Sequence, residues 1–265
     1  MIAKLTKKFI PVYGPVKSWR YGRSLGIDPI GKTSTCSFNC VYCQLGEIQQ
    51  KTSGRAIYIS TAEILLELQK FAPWDDIDII TLSGSGEPTL ALNLKEILQG
   101  IKELTNKATL VLTNATTLTN QDVRLALAVA DKVSIKIDAV NPKQLQGINR
   151  PVAPINLPDI WAGIQKFRNQ YQGELAIQTM ILSPWNTQTK AEYIHLIKTI
   201  KPDEIQLNRP TRPKPLERQL DGRGNHTESR SYPVKKLKCI AQEIVREFAE
   251  EIYKNTNIPV SYKQK

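Results

Sequence analysis

From about residue 57 onward, short β-like runs alternate with longer amphipathic patterns, and this alternation most constrains the fold. The runs fall at 77–84, 108–114, 132–139, 174–182 and 204–209, with an earlier strand expected near Lys32 to Thr35. Between them, helical periodicity covers 60–71, 93–105, 119–130, 157–171 and 187–200. Antiparallel neighbours need only tight turns, whereas parallel strands need crossovers of this length. Six such units predict an α/β fold, a partial (β/α)6 TIM-like barrel with mostly parallel strands. A final helix over 232–254 is expected to cover the sheet, with a short closing strand at 258–262. The chain reads as a single domain over 1–265, with an N-terminal strap at 1–24, a core at about 25–210 and a C-terminal lid and helix at 211–265.

Ordinary parallel strands are apolar on both faces. Here, successive residues point to opposite faces, and one face is polar. Ser134, Lys136 and Asp138 oppose Val133, Ile135 and Ile137. Gln206 and Asn208 oppose Ile205 and Leu207, Thr81 and Ser83 oppose Ile80 and Leu82, and Gln178 and Met180 share a side. The apolar faces suit packing on helices. The polar rows predict a wet, ligand-lined lumen, because a lysine and an aspartate buried without partners would be costly. A Lys136–Asp138 pair at a strand end is the structural alternative.

Three cysteines, Cys36, Cys40 and Cys43, stand in T-C-S-F-N-C-V-Y-C-Q, where the lumen would open. A zinc knuckle wants paired C-x2-C hooks or histidines, and the two histidines, His195 and His226, are far away in sequence. Disulfides are disfavoured by the odd number and the lack of a secretory leader. Cys239, in K-L-K-C-I-A-Q, reads as a core helix position. Three thiols on one loop suit an iron–sulfur cube with one iron left open, since a structural cluster normally takes four cysteines.

This C-x3-C-x2-C pattern, with Tyr42 before the last cysteine, is similar to the signature of the radical S-adenosylmethionine (radical SAM) superfamily. About forty residues on, L-S-G-S-G-E-P-T-L (82–90) resembles that superfamily's G-G-E-P segment, with Ser85 in place of the first glycine. The resemblance covers roughly residues 10 to 210 and implies the same partial barrel, a 4Fe-4S cluster on Cys36, Cys40 and Cys43, and S-adenosyl-L-methionine chelating the open iron. It places Tyr42 near the adenine, and Gly84, Ser85, Gly86 and Glu87 along the edge that holds the methionine amino group. It also implies an external electron donor of flavodoxin or ferredoxin type. Asn114, at a strand end, is placed for the ribose or carboxylate, with a turn or cap role as the alternative. Ser134, Lys136 and Asp138 are candidates for other cofactor polar groups, and Met180 for the adenine pocket. No catalytic acid or base is assigned.

Within the superfamily, G-R-S-L-G-I-D, C-V-Y-C-Q-L-G, I-N-R-P and Q-L-N-R-P-T-R-P look closest to the branch containing tRNA wyosine-base synthases. The second cluster that the resemblance implies for archaeal members has only Cys239 available here. A formal charge of +11 favours a polyanionic partner such as tRNA. Arg20 and Arg23, interleaved with Trp19 and Tyr21, and Asn208, Arg209 and Arg212 are the candidate substrate-facing residues. The alternatives are an activase that installs a glycyl radical on a partner protein, or a non-catalytic iron–sulfur or nucleic-acid-binding protein. No apolar run approaches the length of a membrane span, and a cytoplasmic location is expected.

Overall fold

The structure, a computed structural model, describes residues 9–224 and 232–264. His226 and the end of the Pro- and Arg-rich stretch around it lie outside the described residues. One curled sheet carries the architecture. Its strands are β1 (Val12–Ser18), β2 (Gly22–Ile27), β3 (Ile79–Leu82), β4 (Thr109–Thr113), β5 (Lys132–Lys136), β6 (Glu174–Met180), β7 (Glu204–Asn208) and β8 (Val260–Tyr262). They pair in chain order. Only β1, antiparallel to β2, departs from the parallel arrangement. The result is the expected α/β partial TIM-like barrel.

Among the described residues, six helices of seven residues or more pack on the sheet: α1 (Thr61–Gln69), α2 (Leu94–Thr105), α3 (Gln121–Leu127), α4 (Leu157–Gln170), α5 (Thr187–Ile200) and α6 (Gln242–Thr256). Their start signals are local. Asn156 accepts from Asp159 N ahead of α4 and Asn186 from Thr189 N ahead of α5, each satisfying an otherwise orphaned donor. The three- and four-residue spacing of Leu94, Ile97, Leu98 and Ile101 buries one face of α2. These faces meet Val133, Ile135, Ile177, Ile205 and Leu207 in one continuous core. Among the described residues no helix is long and apolar enough to cross a membrane.

Three expectations need correction. The first barrel strand is Gly22–Ile27, not a segment near Lys32, so part of the expected N-terminal strap belongs to the sheet as the β1–β2 hairpin. Its small and apolar run S-L-G-I is short, and its flanking arginines and aromatics masked it. The last helix starts at Gln242, and Cys239 lies exposed before it rather than in a core. The lower lumen is also a hydrogen-bonded core, not a wet cavity. Ser24 Oγ bonds Thr81 Oγ1 at 2.6 Å, Gln178 Nε2 donates to Gln206 Oε1 at 3.0 Å, and Tyr21 Oη donates to the same oxygen at 3.1 Å. Long amide side chains reach across and satisfy one another, which removes the burial cost that had argued for water. Ser134 is buried among these residues' strands, and its Oγ has no hydrogen-bond partner.

Candidate iron–sulfur and cofactor site

Beyond the carboxyl end of β2 the chain enters the cysteine loop, which is pinned on two sides. On one side Thr35 N donates to Ser85 O at 2.9 Å and Glu87 N to Thr35 O at 3.1 Å. Glycine makes this approach possible: a Cβ on Gly86 would stand 1.7 Å from the Thr35 carbonyl oxygen. Gly84 takes φ +130°, with the Asp28 carboxylate where its Cβ would be. On the other side a π-helical turn, Leu145–Asn149, meets the loop: Asn39 N donates to Asn149 O and Val41 N to Ile148 O, both at 2.9 Å. Such turns recur at functional sites.

The three thiols are partly buried and unpaired. Cys36 Sγ accepts from Phe38 N at 3.4 Å and faces Asn114 Nδ2 at 3.6 Å, and Cys40 Sγ accepts from Asn149 Nδ2 at 3.5 Å. Burial pushes the Cys36 thiol well up, reinforced by Glu87, and pushes Cys40 up to about 12, reinforced by Asp138. Cys43 is raised by burial as well. As bare groups these are poor nucleophiles, because the thiolate is the reactive form. A bound cation reverses that logic by deprotonating a coordinating thiol. Amide N–H groups aimed at sulfur suit ligated thiolates, whose cluster they tune. Among the described residues no three His, Cys, Asp or Glu side chains are placed to hold one metal ion. Three thiols on one loop, two of them met by side-chain amides, are the donor set that a cluster takes.

Asp138, fully buried, is the hub behind this loop. Its Oδ2 accepts from Tyr42 Oη and from Asn149 Nδ2 at 2.9 Å, and its Oδ1 from Met180 N at 2.8 Å, with Lys136 Nζ at 3.2 Å. Lys136 Nζ also stands 4.9 Å from the centre of the Tyr42 ring. Burial beside this carboxylate pushes the Tyr42 phenol well up. Glu87 is equally engaged. Its Oε1 accepts from Thr113 Oγ1 at 2.6 Å and Thr89 Oγ1 at 2.7 Å, and its Oε2 from Asn114 N at 2.7 Å. Burial raises its pKa and these donors work against the rise. Both carboxylates therefore brace strand ends. Asn114 Nδ2 donates to Ser37 Oγ at 2.9 Å, while its Oδ1 caps Thr116 N at 3.1 Å, so it serves the turn and faces the loop at once.

The candidate substrate residues divide. Asn208 and Arg209 line a pocket of about 340 Å³ at the carboxyl end of β7, with Trp19, Thr211 and Tyr262. Arg20 joins them, donating to Asn208 Oδ1 at 2.8 Å with its guanidinium 4.9 Å from the Trp19 ring centre. Arg209 is steadied by Ile240 O at 3.1 Å. Arg23 is not brought here: it pairs with Asp76 at 2.9 Å on an exposed surface. Arg212 is exposed, near Gly224 O.

Sequence reasoning missed Asp28, whose Oδ2 accepts from Ser85 N at 2.9 Å and whose Oδ1 accepts from Ile30 N at 3.0 Å. A carboxylate just past the first strand would have been the signal had that strand been located. It also missed Asn149, inside the quoted I-N-R-P run. Trp161 carried no signal; it lines a crevice with Asn114, Lys136 and Asp138, and its buried Nε1 has no hydrogen-bond partner.

The family profile described as the Radical SAM superfamily matches residues 30–197. UPF0026 protein slr1464 of Synechocystis sp. is 59% identical over 254 residues, covering 95% of this chain and 96% of that protein. UPF0026 protein MJ1312 of Methanocaldococcus jannaschii is 34% identical over 213 residues, 78% of this chain and 65% of its own length. Neither name adds support to the wyosine-synthase resemblance. A radical SAM methyltransferase from Sphaerobacter thermophilus superposes with a TM-score of 0.59 at 12% identity, over 91% of this chain and 65% of that one. At that identity the likeness concerns the fold.

Proposed function

This chain belongs to the radical SAM superfamily, and within it to the UPF0026 proteins, and from that premise we propose that it cleaves S-adenosylmethionine reductively and removes a hydrogen atom from an anionic substrate. Members of the superfamily bind a [4Fe-4S] cluster and S-adenosylmethionine. The observation that carries the reading is the seating of Cys36, Cys40 and Cys43 on one pinned loop beside the Gly84–Glu87 edge.

When bound, the cluster supplies one electron to the sulfonium, releasing methionine and leaving a 5′-deoxyadenosyl radical as the hydrogen acceptor. Everything else falls to the protein. Cys36, Cys40 and Cys43 would hold the cluster, with Asn114 and Asn149 directing N–H groups toward two of the sulfurs. Asp138 and Lys136 fix Tyr42 in one orientation. Buried Phe38, Leu45 and Ile48 keep water from the loop. The electron would come from a flavodoxin- or ferredoxin-type donor in a cytoplasm that keeps thiols reduced.

A tRNA nucleotide is our candidate substrate. The charge of +11 supports it, as do the guanidinium and aromatic groups gathered around Asn208. The test has two parts. Anaerobically reconstituted protein with dithionite and S-adenosylmethionine should form methionine and 5′-deoxyadenosine, and failure to do so removes the chemistry. Mass spectrometry of bulk tRNA from cells with and without the gene should show a missing nucleoside; identical profiles remove the tRNA assignment alone.

A further inference from the structure

The segment leaving β7 turns back over the cysteine loop. Gln219 N donates to Leu45 O at 3.1 Å, and Gln44 Nε2 donates to Pro213 O at 3.4 Å. Backbones meet closely at Gly46, where a Cβ would stand 2.2 Å from Glu217 O and 3.1 Å from Arg218 N. This strap brings three cations to the loop. Arg223 pairs with Asp28 at 3.1 Å, and Lys214 donates to Cys40 O at 3.4 Å and faces Glu47 at 3.7 Å. Each of those two has a carboxylate.

Arg218 does not. Its Nη2 donates to Ser85 Oγ at 2.7 Å and its Nη1 to Gln219 O, but its Nε is buried without a partner. Among the described residues no carboxylate forms an ion pair with it. Desolvation pulls its pKa down, and Asp28 offsets only part of that. A desolvated guanidinium lacking an anion is costly. Its backbone and its acceptor both border the cysteine loop. Arg218 N packs on Gly46, whose own N–H bonds Cys43 O at 3.2 Å. Ser85, its acceptor, bonds Thr35, the neighbour of Cys36. Ser85 occupies the place where the resembled motif has glycine, and a glycine there would leave Nη2 without this acceptor.

We propose that Arg218 is the built-in counter-cation for the negative charge that the three thiolates bring when a cluster is held, and that it favours the cluster's reduction. This rests on the reading that the loop holds a cluster. On reduction, one electron enters from a low-potential one-electron donor and no proton accompanies it, so the site becomes more negative by one charge. A cation alongside stabilises that state more than the oxidised one.

The test is a redox titration followed by electron paramagnetic resonance, on anaerobically reconstituted protein without S-adenosylmethionine. Arg218→Gln should keep its iron and lower the equilibrium constant for reduction about tenfold, a midpoint about 59 mV more negative. Arg218→Lys should stay near the parent value. Should the glutamine variant lose iron, Ser85→Gly, which releases the guanidinium without removing it, should lower the midpoint in the same direction. A fully loaded Arg218→Gln protein with the parent midpoint overturns the proposal. An unchanged midpoint combined with weaker S-adenosylmethionine binding overturns it too, and assigns the arginine to that molecule's carboxylate. If the parent protein takes up no cluster, the underlying reading falls instead.

Discussion

Gly86 lies against Thr35 so closely that no side chain fits between them: a Cβ there would stand 1.7 Å from the Thr35 carbonyl oxygen. The contact joins the glycine-rich edge to the start of the cysteine loop through Thr35 N–Ser85 O and Glu87 N–Thr35 O. Gly86→Ala must separate these backbones, since a carbonyl cannot swing aside as a flexible side chain can. We expect a loss of about 3 kcal/mol, together with reduced iron uptake. Urea unfolding and iron analysis of the same preparations check both. An alanine variant as stable and as iron-replete as the parent would show that the edge and the loop are independent.

Asp138 should matter more to stability than any partner it holds. Asp138→Ala strands the half-buried Lys136 and the donors of Tyr42, Asn149 and Met180, which costs about 3 kcal/mol. Tyr42→Phe removes a single hydroxyl from that carboxylate and should cost about 1 kcal/mol. Thermal unfolding of the two variants gives the order. Equal costs would mean that Asp138 is not the hub.

Asp131 ties β4 to the loop before β5. It accepts from Lys102 Nζ at 2.6 Å and from Thr109 N and Oγ1 at 2.8 and 2.9 Å. Partial burial works against its charge, but the Lys102 and Thr109 donors outweigh it and hold the pKa below the usual carboxylate value. A depressed folded pKa gives stability that is present above the unfolded value and lost as pH falls through the folded one. Asp131→Asn should therefore destabilise by about 1 kcal/mol at neutral pH, a modest figure because the site is half exposed. The difference from the parent should shrink and vanish as pH falls through the lowered folded pKa. A gap independent of pH would indicate a purely steric effect.

Cys40 and Cys239 should behave as opposites. Cys40 lies on the pinned loop with an amide aimed at its sulfur, whereas Cys239 is exposed before α6. Cys40→Ala should abolish cluster absorbance after reconstitution and Cys239→Ala should leave it unchanged. Equal losses in both would mean that the ligand set includes Cys239.

The sequence revealed the barrel where its signals were local. Strand–helix alternation from Ile79 onward depends only on neighbouring residues, and it located β3 to β7 and α4 and α5 within a few residues. The β1–β2 hairpin escaped because its residues pack across the sheet instead of showing a strong internal pattern. The alternation along each strand puts the polar residues on one side. Whether they met water or one another depended on Gln178 reaching Gln206 and on Tyr21 crossing from the hairpin, contacts distant in sequence. The same limit applies to Glu87 and Asp138. Their positions pointed toward the site, but the structure engages their oxygens with the protein's own donors. Arg218, set in a proline- and arginine-rich stretch, could be assigned to Ser85 only once the chain was seen to fold back.

The account depends above all on a cluster held by three cysteines with one iron free to take S-adenosylmethionine. Electron paramagnetic resonance of the dithionite-reduced, anaerobically reconstituted protein tests this most directly, recorded before and after S-adenosylmethionine is added. We predict a [4Fe-4S] signal that changes shape and position on addition. A signal identical in both spectra, or bound zinc in place of iron, would contradict it.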